Sequence, residues 1–262
     1  MSDGIQARLE LAVALAAEAG ALALRMRHTL GPLEVKNPID FCTDADRAVE
    51  ALIRQRVTAT FGDAMIGEED GGDPADSVWV VDPIDGTAGY IHGTPRWCVS
   101  LAYVRNGATR IGVIFDPTLD RMFVARENGG AFLNGRRMAV SRMRHGAAPV
   151  VEAGWSGRRP IADYAAVLTG LTERGMEFRR HGSGALALAE VAAGTTDAYI
   201  ELHMNAWDAL AGLLLVAEAG GRVNDFMAGN GLVAGNLVLA ATPEIATDLA
   251  AMLGTALHRP GL

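Results

Sequence analysis

The stretch WVVDPIDGTAGYIHG, Trp79 to Gly93, carries the strongest structural signal in this chain. Its first three residues are apolar and β-prone, which predicts a buried strand ending at Asp82. Asp85 follows three residues later, with Pro83 fixing the backbone between the two acids and Gly86 permitting an unusual dihedral after them. Two carboxylates at the end of a rigid strand suit a hard cation, which takes oxygen ligands. A solvated turn is the alternative interpretation.

Other acids also stand at the ends of apolar elements. Glu68 follows the apolar run Ala64-Met65-Ile66, Asp208 opens a long apolar run, and Thr43-Asp44 precedes a helical pattern. Taken singly, Glu68 is a surface acid and the others are helix N-caps. This interpretation does not explain why several acids occupy such positions. Carboxylates that meet repel each other unless metals neutralise them, so the pattern favours a metal site.

Composition and charge indicate an ordinary folded protein. The chain has 262 residues, half of them apolar, and its net charge of −8 argues against a broad nucleic-acid-binding face. Cys42 and Cys98 lack metal-ligand spacing and fit reduced thiols, so we expect a cytoplasmic location. The apolar run over 9–24 contains Glu10 and Glu18, which predicts a helix and no membrane partner.

The hydrophobic pattern divides the chain into two halves, residues 1–142 and 143–262. The first half predicts a helix over 4–30, another over 44–60, and strands joined by turns such as Asn106-Gly107. The second half alternates short strands with helices, which is typical of an α/β layer.

Eight motifs occur in a fixed order along the chain. They are GEED (67–70), WVVDPIDGT (79–87), GVIFDPTLDRMFVARENGGAFLNG (112–135), RRHGSGALAL (179–188), DAYIEL (197–202), NAWDALAG (205–212), EAGG (218–221) and GNLVLAA (235–241). Together they resemble the inositol monophosphatase family of magnesium-dependent, lithium-sensitive phosphatases. The resemblance implies a five-layered α-β-α-β-α sandwich, of the inositol monophosphatase and fructose-1,6-bisphosphatase type, with the site between the halves. It also implies a homodimer.

The resemblance implies two magnesium ions, a third held more loosely, and manganese as a substitute. By motif position, Glu68, Asp82 and the backbone carbonyl of Ile84 are ligands of the first ion. Asp82, Asp85 and Asp208 are ligands of the second. All of these ligands are oxygen atoms, as magnesium prefers. Two such ions, about 3.5–4 Å apart, can stabilise the attacking and the leaving oxygen of an in-line displacement.

The same resemblance implies that water attacks phosphorus directly, without a covalent phosphoenzyme. Glu68 and Thr87 orient a water on the first magnesium and take its proton, while Asp44 hydrogen-bonds the Thr87 hydroxyl. The amides of Gly86 and Thr87 hold the phosphate. A rival interpretation makes Asp82 the nucleophile, but a residue that bridges two metals cannot easily attack.

Substrate contacts are implied at Ser183, Gly184 and Glu201, and Asp208 helps to reprotonate the leaving group through water. Gly184 stands where many relatives carry alanine, which leaves the specificity open. We expect a small phosphorylated polyol, with inositol 1-phosphate first. Histidinol phosphate, an amino-alcohol ester, is the alternative, because Glu201 could pair with its amine. A regulatory, protein-binding role is a further alternative.

Overall fold

The computed structural model describes residues 2–28, 34–37, 40–142 and 147–258. Within these ranges the α-helices are α1 (Ser2–Arg27), α2 (Asp44–Phe61), α3 (Thr87–Ile91), α4 (Ile161–Glu173), α5 (Gly184–Ala192), α6 (Ala206–Glu218), α7 (Gly231–Ala234) and α8 (Pro243–Leu253), with a 3₁₀ turn at Ala228–Asn230. The strands are β1 (Glu34–Asn37), β2 (Asp40–Cys42), β3 (Ala64–Gly67), β4 (Ser77–Asp85), β5 (Cys98–Arg105), β6 (Ala108–Asp116), β7 (Arg121–Arg126), β8 (Gly130–Leu133), β9 (Arg136–Arg137), β10 (Val150–Ala153), β11 (Glu177–Arg179), β12 (Ala198–Met204), β13 (Arg222–Val223) and β14 (Asn236–Ala241).

The strands form two large sheets and one small hairpin. Strands β3 to β9 lie in chain order in a seven-stranded sheet, in which β3 and β4 are parallel and the other pairs are antiparallel. The five-stranded sheet has the order β11-β10-β12-β14-β13. Strands β1 and β2 form the hairpin. Because β3 and β4 are parallel, the residues that follow them lie at the same edge of the sheet.

The seven-stranded sheet is buried on both faces. Val78 and Val80 of β4 face a core shared with α5 and α6, whereas Trp79 and Val81 face a core shared with α1 and α2. This alternation follows from the period of two along a strand. Continuous apolar sequence in β4 is therefore explained by helices covering both faces.

The five-stranded sheet repeats this arrangement. Val238 and Ala240 of β14 join the core that contains α5 and α6, while Leu239 and Ala241 pack against α4 and α8. Helices α5 and α6 therefore form a middle layer between the two sheets. The layers run α1/α2, sheet, α5/α6, sheet, α4/α8, which confirms the predicted five-layered sandwich.

Helix α2 has clear start and stop signals. Thr43 is its N-cap, and Gly62 ends it in the left-handed region at φ 65°, which a residue without Cβ adopts at little cost. Val49, Ile53 and Val57, spaced four apart, are fully buried against the sheet. Both ends and the buried face of this helix are therefore determined locally.

The observed helices α1 and α2 match the predictions over 4–30 and 44–60 closely, whereas the short helix α3 was not predicted. Residue 143, where the predicted second half begins, lies outside the described residues, so that division stays a prediction. In the part of the chain that the structure describes, no helix combines the length and apolar character needed to cross a bilayer.

Candidate active site

A pocket of about 820 Å³ lies where β3 and β4 end. Ten of the eleven residues predicted for the site line it: Glu68, Asp82, Ile84, Asp85, Gly86, Thr87, Ser183, Gly184, Glu201 and Asp208. The eleventh, Asp44, does not line it. The pocket therefore brings together residues from both halves of the sequence.

Three acids form a tight cluster at the floor of this pocket. One carboxylate oxygen from each of Glu68, Asp82 and Asp208 lies within 4.8 Å of the others. Burial raises the pKa of Asp82 well above its usual value, and the charges of Glu68, Asp85 and Asp208 raise it further. Burial and the charges of Glu68 and Asp85 likewise raise the pKa of Asp208. Without a cation, these groups resist being ionised together.

The backbone explains how these acids meet. Glu68 follows β3, and its N–H donates to the carbonyl of Val81 on the parallel strand β4 at 3.2 Å. Ser100, the cross-strand partner of Asp82, donates its hydroxyl to the carbonyl of Trp207 at 3.1 Å. That bond fixes the start of α6 opposite Asp82. Asp208 follows Trp207 directly and therefore lies in the cluster.

Asp85 is oriented by the other half of the molecule. Its Oδ2 accepts hydrogen bonds from Ser183 Oγ at 2.5 Å and from Ala185 N at 2.8 Å, at the start of α5. Burial raises the pKa of Asp85, and these hydrogen bonds act in the opposite direction. Ser183, predicted as a substrate contact, is 1% exposed. Its hydroxyl donates to Asp85 and so helps to orient that acid, while its contact with substrate stays a prediction.

The predicted bond between Asp44 and Thr87 is wrong. Asp46 is the carboxylate beside Thr87, with Asp46 Oδ1 lying 3.4 Å from Thr87 Oγ1. Asp44 is exposed on the first turn of α2, whereas Asp46 is 1% exposed and faces inward. Thr87 Oγ1 also lies 3.1 Å from the carbonyl oxygen of Ile84.

A helix-capping pattern explains why Asp46, and not Asp44, lies beside Thr87. Asp46 Oδ2 accepts the Thr43 N–H at 2.8 Å, which completes a capping box at the third position of α2. Asp208 occupies the same position in α6, where it accepts the Asn205 N–H at 3.3 Å. The spacing Thr43-x-x-Asp46 equals Asn205-x-x-Asp208, and this sequence signal could have identified Asp46. Burial raises the pKa of Asp46 to about 6.

The turn after Asp85 requires glycine. Gly86 has φ 90°, in the left-handed region, and a Cβ there would lie 2.6 Å from the carbonyl oxygen of Arg96. Thr87 then begins α3. Backbone amides at such a turn suit an anionic oxygen. Gly86 and Thr87 line the same pocket as the acid cluster.

Glu201 also lines the pocket. Its carboxylate accepts a hydrogen bond from the Tyr199 hydroxyl at 2.5 Å. Burial raises the pKa of Glu201 to about 7, with the charge of Asp85 contributing, while Arg180 and Arg158 act in the opposite direction. Burial therefore favours the uncharged form of this carboxyl more than in an exposed glutamate.

Gly184 and Gly154 make room for this pair of side chains. A Cβ on Gly184 would lie 2.6 Å from Met204 Cε and 2.9 Å from the Tyr199 hydroxyl, and one on Gly154 would lie 2.0 Å from Glu201 Oε2. The absence of side chains at both positions shapes the wall of the pocket around Glu201.

The donor set fits a hard divalent cation. The three-acid cluster contains carboxylates only, and Ile84 and Asp85 line the same pocket. Oxygen donors of this kind suit magnesium or manganese rather than zinc. A bound cation would also remove the repulsion that raises the carboxyl pKa values.

A second group of side chains of metal-binding type is paired with arginines. Glu152, His181 and Glu190 approach one another within 4.8 Å. However, Arg96 Nη1 pairs with Glu190 at 2.6 Å, and Arg121 pairs with the same carboxylate at 3.3 Å. Because guanidinium groups already neutralise the acids, we interpret this group as an ion-pair network.

Known proteins resemble this chain in sequence and in fold. The family model described as the inositol monophosphatase family matches residues 5–258. Nus factor SuhB of Xylella fastidiosa is 38% identical over 224 residues, 83% of this chain and 82% of that protein. The extragenic suppressor protein suhB from Bartonella henselae has a TM-score of 0.86 at 32% identity, covering 94% of this chain and 98% of the other. An IMPase from Thermotoga maritima has a TM-score of 0.84 at 30% identity, covering 94% and 96%.

Proposed function

The chain belongs to the inositol monophosphatase family, and we propose from this premise that it hydrolyses inositol 1-phosphate to inositol and phosphate with divalent metal. The observation that carries the proposal is the cluster of Glu68, Asp82 and Asp208 beside the Gly86-Thr87 turn, in one pocket. Such a site can hold a cation and a phosphate side by side.

Magnesium is the proposed cofactor. Glu68, Asp82 and the Ile84 carbonyl would hold one ion, and Asp82, Asp85 and Asp208 would hold another. When bound, magnesium would neutralise these acids and polarise the phosphate. Manganese, with similar ligand preferences, is a suitable substitute.

The protein groups supply positioning and proton transfer. The Thr87 hydroxyl, held between Asp46 and the Ile84 carbonyl, would orient the attacking water, and the Glu68 carboxylate would accept its proton. The amides of Gly86 and Thr87 would bind phosphate oxygens. Asp208 would return a proton to the departing alkoxide through water. In this scheme each protein group acts without forming a bond to phosphorus.

The test is phosphate release with magnesium from a panel of esters: inositol 1-phosphate, histidinol phosphate, 3′-phosphoadenosine 5′-phosphate, fructose 1,6-bisphosphate and glycerol 2-phosphate. We expect the highest kcat/KM with inositol 1-phosphate. A higher kcat/KM with histidinol phosphate would change the proposed substrate but not the proposed metal-dependent hydrolysis. No release from any ester, with metal bound, would overturn the proposed activity.

The protonation of Glu201 provides a second test, because its pKa is raised to about 7. The carboxyl is charged above this pH and neutral below it. An ammonium group loses its counter-charge when the carboxyl is protonated, whereas a hydroxyl keeps a hydrogen-bonding partner. KM for histidinol phosphate should therefore rise up to about tenfold for each pH unit below 7, and KM for inositol 1-phosphate should change little.

Glycerol 2-phosphate corrects this experiment for titration of the substrate phosphate itself. The Glu201→Gln variant, which cannot titrate, should show no additional pH dependence with either ester. If the pH dependence of KM is the same in the variant as in the wild type, Glu201 does not contact the substrate.

A regulatory role is a second candidate, favoured by the name Nus factor SuhB of the relative from Xylella fastidiosa. We infer that such a role would require binding of a protein partner and not turnover. An Asp85→Asn variant separates the two functions, since a binding role should survive the loss of a metal ligand. The homodimer, the sensitivity to lithium and the cytoplasmic location stay predictions.

A further inference from the structure

A buried ion pair lies behind the loop that carries Glu68. Glu50, on α2, is 0% exposed, and its Oε1 accepts a hydrogen bond from Arg54 Nη2 at 2.6 Å. The proposed chemistry does not use either residue. A buried carboxylate is costly unless several donors satisfy it, so its partners indicate what it does.

The remaining partners of Glu50 are backbone groups of the Glu68 loop. Oε2 accepts the N–H of Glu69 at 2.8 Å, and Oε1 accepts the N–H of Asp70 at 3.1 Å. These are the two residues that follow Glu68 directly. One carboxylate on a helix therefore fixes the backbone on the C-terminal side of a candidate metal ligand.

Arg54 closes the same loop from both ends. Its Nη1 donates to the carbonyl of Met65 at 3.1 Å, and its Nη2 donates to the carbonyl of Gly71 at 2.9 Å. Between them, Gly67 passes so close that a Cβ would lie 2.2 Å from the Glu50 carboxylate. Because there is no space here even for a Cβ, the backbone of the loop packs directly against the Glu50 side chain of α2.

Helix α2 carries Asp46 four residues before Glu50, and residues at this spacing share a helix face. Asp46 contacts Thr87, and Glu50 holds the loop of Glu68. We propose that Glu50, supported by Arg54, is a positioning residue that sets the Glu68 carboxylate relative to Asp82 and Thr87. This inference rests on the proposed metal site.

The test measures metal binding directly, by titrating the metal-free protein with manganese alone in a calorimeter. Glu50→Gln keeps the size of the side chain but loses its charge and one acceptor. Its manganese Kd should rise about 10–100-fold, the usual cost of losing a group that supports a ligand. With glycerol 2-phosphate, kcat should fall by a similar factor while KM changes less.

The matched control is Asp63→Asn. Asp63 also forms a half-buried ion pair, with Arg8 at 2.7 Å, and it accepts the Trp79 indole N–H at 3.0 Å. It lies beyond the far end of α2, away from the pocket. This variant should lose thermal stability and keep the wild-type manganese Kd.

Different failures have different meanings. Wild-type manganese affinity in folded Glu50→Gln would overturn the positioning role alone. Absence of manganese binding in the wild type would overturn the proposed metal site and this inference with it. If Glu50→Gln does not fold, Arg54→Lys decides the question: it keeps the charge but loses the forked contacts, and an unchanged Kd there would also overturn the proposal.

Discussion

Replacing Asp82 by Asn should lower kcat about 10³-fold or more with every phosphate ester, while the protein remains folded. The change removes a charge from the centre of the acid cluster, beside Glu68, Asp85 and Asp208. Charge stabilisation by a bound metal is worth several kcal/mol, and each ~1.4 kcal/mol is a factor of ten in rate. Phosphate release under saturating substrate and magnesium measures the effect.

Thermal unfolding provides the control for Asp82→Asn. The amide oxygen can still accept the Ile84 N–H, which Asp82 Oδ1 accepts at 2.9 Å. Because the mutation removes repulsion among buried acids, Tm without metal should stay the same or rise. Stabilisation by added magnesium should shrink. Near-normal turnover in a folded variant would refute the assignment of Asp82 as a metal ligand.

Replacing Asp46 by Asn should slow hydrolysis about 10²–10⁴-fold, the usual range for a group that supports proton transfer. The Asp46 carboxylate accepts bonds from Thr87, and from the amide and hydroxyl of Thr43. An amide at this place can donate to Thr87 instead, which reverses the direction of that hydrogen bond. Manganese Kd should change little, since Asp46 contacts the Thr87 hydroxyl and not a segment that carries a carboxylate ligand. Single-turnover phosphate release distinguishes slower chemistry from weaker binding.

Asp44→Asn is the matched control, because it makes the same chemical change two residues earlier on the same helix. Asp44 is exposed and does not line the pocket. Its variant should retain wild-type kcat and KM. Equal losses in the two variants would indicate a general effect on the start of α2 and would remove Asp46 from the proposed mechanism.

Individual helices and strands could be predicted because the signals for them are local, whereas the five-layered sandwich was implied by the family resemblance. The apolar run around Trp79, buried on both faces in the structure, indicates a central strand. The long helix patterns near the N-terminus were found at nearly the observed positions. Helix α3 was missed because its five residues are too few to show a helical period.

The candidate site could be predicted at the level of its motifs but not of its supporting contacts. Asp208 was identified by its motif, although the bond from Ser100 that anchors its neighbour joins residues 107 apart. The role of Ser183 depends on Asp85, at a separation of 98 residues. Such pairings depend on how the sheets and helices pack, which local sequence does not determine. The position of Asp46, in contrast, was available from capping chemistry.

Asp85 extends from one sheet and is held by the first residues of a helix in the middle layer. The geometry of the pocket therefore depends on how accurately this sheet and the middle helix layer pack together. A displacement of one layer by about 1 Å can cost a factor of 10² in rate without breaking a single helix or strand. The proposed activity is thus more easily lost than the fold, and core substitutions far from the pocket should lower it while the helices and strands remain.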